Sequence, residues 1–242
     1  MERYFFVNSG DYKVNQQIKI EGTEHNHISR VLRLKVGDKI VCLPNNGMLL
    51  HCEIVAFSKA ETIVKIVKIE KSENECKSSL TVFVPLLKSD KFEFLITKLT
   101  ELGIKKIVPF VSEFITAKPP KTDKGERYLQ IAKDACKQCR RAKLLEVDKL
   151  ISFEEMLKQI KNYDATFFAY ENERVKKLSA FNLSGVNNVA MVVGSEGGFS
   201  LNEANKIVNA GAQIITLGNR ILRAETACIA LASILQFKLG EI

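Results

Sequence analysis

The sequence predicts an α/β protein built in two parts: an N-terminal small β-barrel over residues 1–72 and a C-terminal α/β domain with a parallel sheet over residues 73–242. Three observations carry this. Short strand-like runs separated by turn signals occupy the first 70 or so residues, the pattern of small barrels. The stretch 71–79, Lys-Ser-Glu-Asn-Glu-Cys-Lys-Ser-Ser, is polar and aperiodic and reads as a linker. Beyond it, strand-like and helix-like segments alternate, as in a parallel sheet covered by helices.

In the first part the strand-like runs are Tyr4–Val7, Gln17–Ile20, Lys39–Leu43, Leu49–Val55 and Thr62–Val67. Asn45-Asn46-Gly47 lies between two of them and supplies a hairpin turn. Helical spacing occurs there only in Glu24–Leu34, through Ile28, Val31, Leu32 and Leu34. In the second part, Leu80–Val84, Lys106–Val111, Ala165–Tyr170, Asn188–Val193 and Gln213–Leu217 read as strands. Helices are expected over Lys91–Leu102, with Gly103 as its stop, and over Glu126–Lys143 and Ser152–Ile160. Ser200 and Glu203 form a capping box that opens a helix to about Ala210, and Thr226–Leu239 is the last helix. That helix is apolar nearly all round, which fits either a central buried helix or a subunit interface.

A chain of 242 residues can bury a sizeable core, and 46% hydrophobic with 26% charged residues is ordinary for a globular protein. The net charge of +8 favours a polyanionic partner or an anionic membrane surface. No apolar run reaches the roughly 20 residues of a membrane span, and the N-terminus lacks a signal-peptide pattern. The six cysteines therefore read as reduced thiols of a cytoplasmic protein. Cys136 and Cys139 form a C-x-x-C pair inside a helical pattern, with no second pair and with the histidines far away. Plain helix thiols are expected there, and no metal site.

Chemistry concentrates between Val193 and Ala227. Gly194-Ser195-Glu196-Gly197-Gly198 follows a strand and precedes a capped helix, so it lies at the carboxyl end of a parallel strand, where open α/β sheets bind ligands. The spacing matches neither the dinucleotide nor the P-loop fingerprint. A second loop, Leu217-Gly218-Asn219-Arg220-Ile221-Leu222-Arg223, brings two cations suited to phosphate or a developing anion. Glu225 and Thr226 serve equally well as helix-start residues or as functional groups. Lys133, Lys137, Arg140, Arg141 and Lys143 are either a solvated helix face or phosphate contacts. Arg3, Arg30, Arg33 and Lys35, near Tyr4 and Phe5, suit RNA backbone and base stacking, although core strands explain the aromatics as well.

Nearly the whole chain resembles the RsmE-type ribosomal RNA methyltransferases of the SPOUT superfamily. The resemblance runs through Arg3-Tyr4-Phe5, His27–Arg33 with Gly37-Asp38, Lys98–Gly103, Gln138–Arg141, Gly194–Gly198 and Leu217–Ala227. The last two motifs at this separation are highly specific. Three positions depart from the family pattern: Ser195 replaces a usual proline, Arg140 a usual glycine, and Phe114 a common arginine.

The resemblance implies a PUA-like N-terminal barrel and a SPOUT methyltransferase domain whose C-terminal segment is threaded into a trefoil knot. It further implies S-adenosylmethionine as cofactor, pairing of two subunits through the knot region, and 16S rRNA within the small ribosomal subunit as substrate. On that reading adenine rests on Leu217, Ile221, Leu222 and Ala227. Val193, Gly194, Gly198, Gly218 and Thr226 complete the cofactor site, with Tyr170 on a third loop. Methyl transfer to uridine N3 needs loss of its proton, and Arg223 or Arg220 is expected to stabilise the resulting anion. Glu196 is expected either to orient an arginine or to accept the proton. Arg3, Arg30, Arg33, Lys137, Arg140 and Arg141 are the expected RNA contacts, and neither a metal nor a membrane is involved.

Overall fold

The computed structural model describes residues 2–119 and 122–242. It divides into two compact units, one formed by Met1–Glu75 with Cys136–Leu144, the other by Cys76–Ala135 with Leu145–Ile242. No helix among the described residues is long and apolar enough to cross a membrane.

The first unit holds β1 (Tyr4–Phe6), β2 (Gln17–Glu21), α1 (Gly22–Asn26), β3 (Lys39–Leu43), β4 (Met48–Phe57) and β5 (Glu61–Lys71), with a π-helical turn at His27–Val31. Its sheet runs β1-β3-β4-β5-β2. Alternation of buried and exposed residues along β2 turns Ile18 and Ile20 inward. Register shifts at His51/Cys52 and Ile54/Ala56 bend the β4–β5 pair and curl the sheet around Phe5, Ile28, Leu50, Ile54 and Val64. The expected turn is present between β3 and β4, with Asn45 and Gly47 both at positive φ. Among the described residues β1 and β2 are edges not paired to each other, so the sheet curls without closing.

By its internal contacts the chain divides after residue 75, close to the expected 72, and residues 136–144 group with the N-terminal unit. Their anchor is Glu75, whose Oε1 accepts the backbone N–H groups of Ala142 (2.6 Å) and Lys143 (2.8 Å). One expectation, the end of the basic helix, needs correction. Expected to reach Lys143, this helix is α3 (Gly125–Cys139) and ends four residues earlier. Arg140 takes φ +63°, a helix-terminating left-handed backbone, and the Arg141 N–H bonds back to the Cys136 carbonyl at 3.0 Å. Arginine thus adopts here the conformation usually given to glycine.

The second unit is a six-stranded parallel sheet in the order β11-β9-β10-β6-β7-β8. Its strands are β6 (Ser79–Pro85), β7 (Lys106–Phe110), β8 (Glu146–Val147), β9 (Ala165–Ala169), β10 (Asn188–Val193) and β11 (Gln213–Ile215). The two-residue β8 was too short to leave a sequence pattern. The apolar runs of β6 and β10 are buried almost throughout because they occupy the sheet centre. Covering helices are α2 (Ser89–Glu101), α4 (Phe153–Gln159), α5 (Leu201–Asn209) and α6 (Ala224–Lys238). Capping boxes start α4, through Ser152 and Glu155, and α5, through Ser200 and Glu203. The last helix buries Cys228, Leu231, Ala232 and Leu235, whereas Ile234 is 43% and Phe237 71% exposed. It has an open apolar face as well as a buried one.

Candidate active site

In a parallel sheet the carboxyl ends of adjacent strands share one edge. The neighbours β11, β9 and β10 therefore bring three loops together: 170–177 after β9, 194–200 after β10 and 216–223 after β11. Backbone bonds tie the first to the third. The Tyr170 N–H donates to the Ile215 carbonyl (3.1 Å) and the Thr216 N–H to that of Lys176 (2.7 Å). The second loop is a tight turn closed by the Gly198 N–H on the Ser195 carbonyl (3.0 Å). Ser195 also donates its hydroxyl to the Phe114 carbonyl at 3.3 Å, so two positions that depart from the family pattern touch each other.

The three loops enclose a cleft with about 800 Å³ of empty space, its open mouth included, enough for a nucleoside-sized ligand. Its wall carries Tyr170, Glu171, Val193, Gly194 through Gly198, Leu217, Gly218, Arg220, Ile221, Leu222, Ala224 and Ala227. Of the expected cofactor residues, only Thr226 is off this wall. The helix α6 starts at Ala224, and Ala224 and Ala227 share the inward face at i, i+3. Thr226 falls outside that face and is exposed. Neither Glu225 nor Thr226 caps the helix. Arg223 is the N-cap position, and no side chain bonds to its free N–H groups.

The glycines are dictated by contact. Gly198 has φ +69°, and a Cβ there would collide with the Glu171 carboxylate, which accepts the Phe199 N–H at 3.3 Å. A Cβ on Gly197 would lie 2.7 Å from Phe114 Cβ and carbonyl oxygen. The chain can approach a ligand here only without side chains.

Charge is arranged unequally around the cleft. Arg220 and Glu196 are on the wall, while Arg223 is exposed beside it in sequence and not part of the lining. Among the described residues, neither arginine has a carboxylate within ion-pair distance. Glu196 instead pairs with Lys91 of α2, and this bond holds its carboxyl below the usual range. A carboxylate so held is a poor proton acceptor. The pair with Lys91 works against the base role expected for Glu196, and among the described residues Glu196 has a lysine, not an arginine, as its ion-pair partner. Sequence reading missed Lys91 and Glu171. No local motif marks Lys91, whose partner is 105 residues away, whereas Glu171 directly follows Tyr170.

The expected RNA contacts divide in two. Arg3, Arg30, Arg33 and Arg140 are exposed on the N-terminal unit. Lys137 is not a free cation: its ammonium pairs with Glu24 at 2.6 Å and its side chain is 15% exposed. Arg141 is likewise inward, 7% exposed and paired with Glu75 at 3.4 Å. Residues 137–141 therefore supply one exposed arginine, Arg140, while Lys137 and Arg141 are paired within the unit. Among the described residues no cluster of His, Cys, Asp and Glu is placed to hold a metal.

A parallel α/β domain with a glycine-walled cleft at its strand ends follows a curled five-stranded domain, and each is matched by a family model. Residues 74–236 match the model of the RNA methyltransferase domain, and residues 20–67 that of the RNA methyltransferase PUA domain. Ribosomal RNA small subunit methyltransferase E of Mesomycoplasma hyopneumoniae is 32% identical, over 94% of this chain and 96% of its own length. The Bacillus subtilis protein of the same name is 29% identical over 98% and 97%. The solved structure of the Neisseria gonorrhoeae ribosomal RNA small subunit methyltransferase E, bound to S-adenosyl methionine, is 25% identical with a TM-score of 0.89, covering 98% of each chain. The chain belongs to the ribosomal RNA small subunit methyltransferase E family.

Proposed function

We propose that this protein methylates N3 of a uridine in 16S rRNA of the assembled small ribosomal subunit, with S-adenosylmethionine as donor. The carrying observation is the cleft, whose apolar and backbone-rich wall fits a neutral adenine and whose Glu171 carboxylate fits a cationic ligand. Leu217, Ile221, Leu222 and Ala227 supply the apolar surface, and Gly194 and Gly198 allow close backbone approach. Glu171 faces the same space and suits ribose hydroxyls or an ammonium group.

When bound, the cofactor supplies a methyl group already activated by its sulfonium. The protein's work is then positioning. The uracil N3 must lose its proton, which leaves negative charge on the flanking carbonyl oxygens. Arg220 on the cleft wall and the neighbouring Arg223 stabilise that charge, and the lack of an ion pair to either among the described residues keeps both available. With Glu196 committed to Lys91, the proton passes to solvent or to the RNA, not to Glu196. The exposed arginines of the N-terminal unit hold the phosphate backbone. The uncovered side of α6, with Ile234 and Phe237, supports pairing of two copies, which sedimentation will report as twice the chain mass.

Nucleosides from the small-subunit RNA of a strain lacking the protein should have lost one N3-methyluridine by mass spectrometry. An unchanged nucleoside profile defeats the reading. A non-catalytic RNA-binding role requires that calorimetry detect no S-adenosylmethionine binding. Arg223→Ala should bind cofactor normally yet methylate about a hundredfold more slowly, the scale of one transition-state charge contact. A wild-type rate removes Arg223 from the mechanism.

A further inference from the structure

Lys91 stands in the first turns of α2, outside every motif of the cleft, yet it engages two segments that build it. Its ammonium contacts the Glu196 carboxylate, which is on the cleft wall, and lies 3.8 Å from Glu225 Oε2 in the first turn of α6. Lys91 and Glu225 are mostly enclosed, with side chains 20% and 17% exposed. Glu225 Oε2 is buried and has no hydrogen-bond partner, so this ammonium is the countercharge that compensates it. Three elements distant in sequence therefore meet on one cation.

We propose that Lys91 is a positioning residue of the cofactor cleft, drawing the glycine loop through Glu196 and the start of the last helix through Glu225 onto one charge. The separation of two cleft walls is set by this clasp. The inference rests on the cleft being the S-adenosylmethionine site. The clasp has a second consequence. With Glu196 and Glu225 held by Lys91, neither of these two neutralises Arg220 or Arg223, which leaves the cations to the substrate. The ionisation of the pair agrees: the Glu196 bond raises the Lys91 ammonium above its ordinary value, although the Arg223 charge opposes it.

Lys91→Met and Lys91→Arg test this by calorimetry with S-adenosylmethionine and by steady-state methylation of small ribosomal subunits. Loss of a charge-assisted bond predicts that Lys91→Met raises the cofactor Kd and KM about tenfold, with kcat at saturating cofactor within about threefold of wild type. Lys91→Arg should recover most of the loss, because a second cation spans the same two carboxylates. Glu225→Gln, which cuts one arm and disturbs folding less, should raise the cofactor KM by an intermediate factor. If Lys91→Met folds and binds cofactor as the wild type does, or if Glu225→Gln leaves KM unchanged where Lys91→Met does not fold, the clasp is refuted while the cofactor site stands. If wild-type protein itself fails to bind S-adenosylmethionine, the reading of the cleft falls and the clasp with it.

Discussion

At Gly198 the backbone sits in the left-handed region, φ +69°, with the Glu171 carboxylate occupying the space a side chain would need. Alanine there meets two penalties together: about 1–2 kcal/mol for the left-handed backbone and a collision that displaces either Glu171 or the loop. Because Glu171 and Gly198 are both on the cleft wall, the damage should appear first in cofactor binding. Gly198→Ala should lose detectable S-adenosylmethionine binding by calorimetry and melt a few degrees lower. Gly211→Ala is the useful comparison. It has φ +101° but nothing within 4 Å of its Cβ, so it should lose stability alone and keep cofactor affinity. Equal loss of binding in both variants would show that strain, not the Glu171 contact, governs the site.

The helix α5 links the glycine loop to the segment that follows β7 through one residue. Glu203 accepts the Ser200 N–H at 3.1 Å as part of the capping box, and its other oxygen accepts the Glu113 N–H at 2.8 Å. Glu203→Ala removes both acceptors from a site that is 6% exposed. The expected cost is about 1–2 kcal/mol, read as a melting temperature lower by about 3–6 °C, with Glu203→Gln losing less. A Glu203→Ala melt within a degree of wild type would deny the cap this weight. The capping half of this role is written locally, as Ser-x-x-Glu before an apolar run, and so was legible in sequence. The Glu113 half is not, since the partners are 90 residues apart. The same division runs through the chain. Strand and helix positions follow from local periodicity, and so does the placing of glycine loops at strand ends. The end of α3 at Arg140 does not, because arginine gives no signal of a left-handed backbone. Nor does the order β11-β9-β10, which converts three separate loops into one cleft. The knot and the cofactor were expected from family resemblance alone.

Across the whole molecule a net charge of +8 is not a uniform coat of cations. Some basic residues are spent internally: Lys137 on Glu24, Arg141 on Glu75 and Lys91 on Glu196. Others, including Arg30, Arg33 and Arg140, are exposed on the N-terminal unit. These two groups should behave differently toward RNA, because only an exposed cation releases a counterion when it meets a phosphate. Each such contact adds about 0.7–0.9 to the slope of log affinity against log salt. Replacing Arg30 and Arg33 together by alanine should therefore weaken binding to the small subunit and flatten that slope by about 1–2, while leaving the melting temperature nearly unchanged. Arg141→Ala should do the reverse. It removes the guanidinium from the mostly enclosed Glu75 carboxylate, which also anchors the Ala142 and Lys143 N–H groups, so thermal stability should fall and the salt slope should persist in whatever protein remains folded. Filter binding of purified small subunits across a salt series, with melting curves on the same preparations, separates the two. If Arg141→Ala flattens the slope as the exposed pair does, Arg141 reaches RNA in the complex and its place inside the N-terminal unit is not the bound one.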